Sequence, residues 1–162
     1  MSRFRGPVRR KGDGFVIDLG TDEADVVRRL TGELRVMLTD PEPSDEALTL
    51  IARLFPVAYP DDDEMESEYQ RLMRDELVQS KLAAFDVVDE ALVAKTVIDE
   101  AQLVSVMQSV NSIRLVLGVM LDVSDGPDAD EVAEGFEASP EYALYGYLSW
   151  LLEWCVKALT GN

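Results

Sequence analysis

The sequence predicts a mainly α protein, a helical bundle around one central buried helix at about residues 97–123, preceded by a short N-terminal β-hairpin. Three observations carry that prediction. The stretch Gln102–Leu121, QLVSVMQSVNSIRLVLGVML, repeats apolar residues at Leu103, Met107, Val110, Leu117 and Met120, which is helical spacing. Val106, Ile113, Val116, Val119 and Leu121 fill the remaining angles, and a helix apolar nearly all round is a buried one. Four further segments carry start and stop signals of amphipathic helices, and Gly12-Asp13-Gly14 separates two short apolar runs in the manner of a hairpin turn.

At 162 residues, 47% of them hydrophobic, the chain reads as a single domain over 1–162, with an arm at 1–20 and a bundle at 21–160. In the arm, RFRGPVRRK at 3–11 and GFVIDL at 14–19 form the strands, and Pro7, lacking an amide donor, marks an edge. Thr21 or Asp22 caps a helix through Leu38 with Val26, Val27, Leu30, Leu34, Met37 and Leu38 as its apolar stripe, closed by Pro41. Ser44 caps a shorter helix with Ala47, Leu48, Ile51, Leu54 and Phe55 inward, ended by Pro56 and Pro60.

Asp61-Asp62-Asp63-Glu64 stands before a long helix running from Met65 towards Leu92. Consecutive carboxylates point in different directions and do not converge on a cation, so they read as a helix cap complementing the dipole, and no metal is expected. Arg71, Arg74 and Lys81 lie among Glu68, Asp75 and Glu76 in the pattern of an exposed, ion-paired face. Thr96 and Asp99 read as a capping box opening the central helix. Ser124–Asp128 reads as a turn, and 129–137 as a short acidic helix. Ser139-Pro140-Glu141 opens a last helix to about Leu159, with Gly161 beyond its end. One stripe of that helix is Leu144, Leu148, Leu151, Leu152, Cys155 and Leu159; beside it runs a second, Tyr147, Trp150 and Trp154. The aromatic stripe is read first as core, and second as an interface.

Charge and composition narrow the function. The chain has no histidine, which removes His-based acid–base chemistry, Ser-His-Asp and Cys-His pairs and the usual zinc sites. No enzyme signature, cofactor or metal motif stands out. Net charge is −17, yet Arg3, Arg5, Arg9, Arg10 and Lys11 place five positive charges at the N-terminus and leave −22 for the rest. Such a body repels nucleic acid, so DNA or phosphate contact would fall to the arm alone. No signal peptide or uninterrupted bilayer-length apolar run is apparent, and one cysteine suits a reducing compartment; the expected location is cytoplasmic, with no membrane partner. Cys155 lies in the leucine stripe near a helix C-terminus, where the field opposes a thiolate.

Within the central helix, Asn111 and Arg114 share a polar seam in an otherwise apolar rod. A structural arginine bonded to a carboxylate or to helix-end carbonyls is one account of it; a partner-binding cleft is the other. Gly118 costs the helix ~1 kcal/mol relative to Ala unless a neighbour packs close.

The segments PDDDEMESEYQRLMRDEL at 60–77, NSIRLVLGVMLDV at 111–123 and YGYLSWLLEWCVKAL at 145–159 resemble an actinobacterial family of uncharacterised function that includes AosR-type oxidative-stress transcriptional regulators. The resemblance implies a mostly helical regulator acting with a sigma factor or RNA polymerase, encoded near proteolysis adaptors and cysteine-synthesis genes. Regulators of that type carry a CxxxC redox pair. Here Leu151 and Leu159 occupy both positions that would complete one with Cys155, so an intramolecular disulfide switch does not carry over.

The leading expectation is therefore a non-enzymatic regulatory protein in stress-response transcription, binding a protein partner through its helical surface, with Asn111, Arg114, Tyr147, Trp150 and Trp154 as candidate contacts and a homodimer open. The alternatives are a direct DNA binder using the basic arm, an adaptor for a proteolytic machine, and an enzyme using carboxylates or a metal.

Overall fold

The computed structural model describes residues 6–121 and 139–161. Arg3 and Arg5, the turn at 124–128, the acidic helix at 129–137 and the last two positions expected of the central helix lie outside the described residues.

Two short strands come first: β1, Val8–Lys11, and β2, Gly14–Ile17. They pair antiparallel from Val8 against Ile17 to Lys11 against Gly14, and the turn between them has Gly12 at φ 62°, a left-handed conformation that glycine adopts without penalty. A third strand, β3 (Val97–Ile98), pairs antiparallel with the other edge of β2, giving the order β1-β2-β3. This corrects the start of the central helix. Residues 97 and 98 are extended, and the reciprocal cap is Asp99 with Gln102, not Thr96 with Asp99: the Gln102 amide donates to Asp99 Oδ1 and the Asp99 amide to Gln102 Oε1, both at 2.8 Å. All four residues of β2 are buried, so its second edge needs a backbone partner, and β3 supplies it. Gly14 permits the approach; a Cβ there would come 2.6 Å from the Ile98 carbonyl oxygen.

Five α-helices are described. The first is α1, Thr21–Thr39, which has Gly20 at its N-cap and no side-chain cap, so neither Thr21 nor Asp22 plays that part. In α2, Asp45–Ile51, Ser44 accepts from the Ala47 amide at 3.1 Å as expected, but the chain then tightens into a 3-10 turn over Ala52–Leu54 instead of continuing to Phe55. Next comes α3, Asp63–Ala91, which opens with Asp62 accepting from the Met65 amide. The central helix α4, Glu100–Met120, is followed by α5, Pro140–Thr160, which is capped by Ser139 and stopped by Gly161 at φ 77°.

The core surrounds α4, which packs along α3 on one side and α5 on another and also meets α1 and α2. Leu103, Val106, Val110, Ile113 and Leu117 of α4 are buried with Phe85 and Val88 of α3, Leu148, Leu151 and Cys155 of α5, and Ile51 and Leu54. By length and composition α4 could cross a membrane; the neighbours around it make it the interior rod of a bundle. Its C-terminal turn departs from expectation, because Met120 is exposed. Two serines are buried in α4 without penalty: Ser109 donates to the Ser105 carbonyl at 2.9 Å and Ser112 to that of Gln108 at 3.0 Å.

Candidate functional site

The polar seam of α4 divides between two surfaces. Arg114 turns towards α5: its Nη2 donates to Asn111 Oδ1 at 3.1 Å, its Nη1 to Ser149 Oγ at 3.5 Å, and its guanidinium lies 5.9 Å from the Tyr145 ring centre. Among the described residues its hydrogen-bond acceptors are the Asn111 side chain and the Ser149 hydroxyl. Asn111, while accepting that bond, also lines a cleft of about 370 Å³ between α3 and α4. Gly118 gives the close approach expected of it, since a Cβ there would lie 3.1 Å from Arg53 Nη1 and 3.7 Å from the Tyr145 ring.

That cleft holds a residue that charge interleaving along α3 misplaced. Arg71 pairs with Glu68 at 3.1 Å, and Arg74 lies over the Phe55 ring at 4.2 Å. Lys81, by contrast, has no ion pair or hydrogen bond among the described residues; it lines the cleft half-buried, and burial pulls its affinity for a proton down. A signal existed: at three and four residues either side of Lys81 stand Leu77, Val78, Ala84 and Phe85, none of them an acid.

The aromatic stripe of α5 is not core: Tyr147 and Trp154 border the core half-buried, and Trp150 between them reaches the surface. Trp154 is half-buried against the start of β1, where a Cβ on Gly6 would fall within its indole ring. Trp150 stacks edge-on against Trp154 at 6.4 Å and tilted against Tyr147 at 5.8 Å, and is 39% exposed. Together Tyr147 and Trp150 form one wall of a notch of about 340 Å³ whose other walls include Pro7, Asp18 and Glu23. The Tyr147 hydroxyl is buried without a hydrogen-bond partner among the described residues. Burial, with the Glu23 carboxylate adding to it, pushes its pKa up to about 12.

Two cations of the basic arm are engaged within the fold. Arg9 meets Asp18 at 3.4 Å. Arg10 donates from Nε to the Ala158 carbonyl and from Nη2 to that of Leu159, each at 3.1 Å, with Phe15 beneath its guanidinium. It thereby satisfies the orphan carbonyls and negative dipole end of α5. Lys11 is exposed at the hairpin tip.

The acidic run at 61–64 behaves as local structure: Asp62 caps α3, and Glu66 just beyond it accepts from the amides of Ala58 at 2.8 Å and Tyr59 at 3.0 Å and from Gln70 at 3.0 Å. Those bonds hold the Glu66 carboxyl below its usual pKa, the Gln70 contact most of all. Among the described residues no three His, Cys, Asp or Glu converge as metal ligands. Cys155 is fully buried and its thiol is pushed up to about 12 by burial. Native protein should therefore react with a thiol reagent such as Ellman's reagent at least about a hundredfold more slowly than protein in urea; comparable rates would place the sulfur at the surface.

What the elements define is a mainly α bundle, closed at one end by a three-stranded sheet, with an acidic aromatic notch on one side and a cation-bearing cleft on another. The chain belongs to the family described as a domain of unknown function, DUF2017, whose model matches residues 1–159. No characterised protein and no solved structure matches it.

Proposed function

We propose that the protein is a non-enzymatic regulator that works by binding another protein, a basic segment of the partner seating in the notch between Tyr147 and Trp150 on one wall and Glu23 on the other. The observation that carries this reading is the pairing of an exposed indole with a carboxylate in one concave site on a chain of net charge −17. An aromatic face attracts an arginine or lysine through its quadrupole while a carboxylate neutralises it, so one notch offers both parts of cation recognition. The acidic body supplies steering and orientation. A sigma factor or RNA polymerase subunit in stress-response transcription is the partner that the family resemblance suggests, and a cytoplasmic location goes with it.

A direct DNA-binding role draws less support, because Arg9 and Arg10 are occupied by Asp18 and by the end of α5. The test is binding of a fluorescent arginine-rich peptide, followed by recovery of the native partner from the source organism. Trp150→Ala should weaken the peptide by about thirtyfold, as loss of an aromatic anchor does, and Glu23→Lys by about tenfold or more. Binding should fade as salt rises from about 0.05 M to 0.5 M. A peptide that binds the double variant as tightly as the parent protein would sink the reading. So would a stable dimer whose interface already fills the notch.

A further inference from the structure

The cleft between α3 and α4 carries a cation on an apolar wall in an otherwise acidic molecule. Among the described residues no acid lines this cleft, while Lys81 does. Its walls are otherwise mostly apolar, and its 370 Å³ is the size of a small-ligand site.

Lys81 and Asn111 are the groups inside that keep protons to donate. Ser109 and Ser112 have spent their hydroxyl protons on carbonyls of α4 and present only lone pairs. Asn111 has its carbonyl oxygen taken by Arg114, so the Nδ2 group is the unspent half of the amide. Lys81 is half-buried and has no anionic partner among the described residues, an arrangement that a charged ligand relieves. Donors at one place and apolar wall elsewhere describe an amphipathic anion.

We propose that this cleft binds a small organic carboxylate with an apolar tail, its head held by Lys81 and the Asn111 amide and its tail lying on Leu77 and Leu115. Arg114 is a positioning residue: by holding the Asn111 oxygen it fixes which end of the amide is left to the ligand. The site shares no residue with the notch on α5 and stands or falls separately from the protein-binding reading.

Octanoate is the probe, with octanol and inorganic phosphate as the two controls, titrated into the full chain and followed by calorimetry and by amide NMR. Octanoate should shift resonances of residues 108–115. Octanol, lacking the charge, should bind about tenfold more weakly, and phosphate, lacking the tail, weaker still. Lys81→Gln should weaken octanoate about tenfold while Lys81→Arg restores most of it, both variants being checked by circular dichroism for an unchanged fold. Arg114→Met should loosen octanoate and also move the Asn111 side-chain amide resonance, which a purely structural role elsewhere would leave in place. The proposal is overturned if octanoate does not bind, if Lys81→Gln binds it unchanged, or if octanol or phosphate matches it.

Discussion

Phe85→Ala should lower the melting temperature by about 12 °C. The ring is completely buried where α3 meets α4, in the cluster that also holds Leu103, Val106 and Val110. Removing it forfeits the transfer free energy of the ring and leaves a void that neighbouring helices fill only in part, together about 4 kcal/mol. For a chain of 162 residues each kcal/mol corresponds to about 3 °C. Thermal unfolding by circular dichroism measures the loss, and a fall of only about 3 °C would mean that the α3–α4 seam is not where the stability lies. The same ring forms part of the cleft wall, so the variant also enlarges the site, and dry, apolar engineered voids accept apolar ligands. Octanoate should therefore recover more melting temperature in Phe85→Ala than in the parent protein.

Alkali should unfold the protein early, for reasons that can be assigned to two side chains. Burial raises the Cys155 thiol from an ordinary 9.0 to about 12 and the Tyr147 phenol from 10.0 to about 12. In both cases the folded state holds its proton more tightly than the unfolded chain does. Stability from these groups is therefore fully present below their ordinary pKa values and is lost as pH rises, between 9 and 12 for the thiol and between 10 and 12 for the phenol. For Cys155 the loss is on the order of 3 kcal/mol; Tyr147 is only half-buried and contributes less. Urea midpoints measured from about pH 8 to pH 11.5 should decline, with Cys155→Ala flattening the first part of the decline and Tyr147→Phe the later part. A midpoint indifferent to pH across that range would mean that neither group is sequestered.

Where structure follows from neighbours in sequence, it was legible. Ser44, Asp62 and Ser139 cap their helices because the rule involves one side chain and an amide three residues on. The burial of α4 followed from its all-round apolarity. What escaped depends on distant residues. Asp99 was misread as the far member of a box with Thr96, since nothing local reveals that Val97 and Ile98 are claimed by β2, more than 80 positions earlier. Lys81 matched the alternating charges of an exposed helix face until α4 was laid across it. Of the site residues, Asn111 and Arg114 stood out as polar exceptions, but the bond between them, which sends one to the cleft and the other to α5, needed the third dimension. Arg10 carried no local hint of its role, its two acceptors lying 148 and 149 positions away.

That last contact bears on how the chain is made. The hairpin emerges from the ribosome before its partners: its second edge waits for Val97 and Ile98, and the carbonyls that anchor Arg10 follow it by 148 and 149 positions. In that interval β2 has one edge unpaired and its apolar residues uncovered, the kind of segment that chaperones protect from sticking to other nascent polypeptides. Seating it closes a loop of 148 positions, so the sheet should be the last part to acquire protection from hydrogen exchange on refolding and the first to lose it.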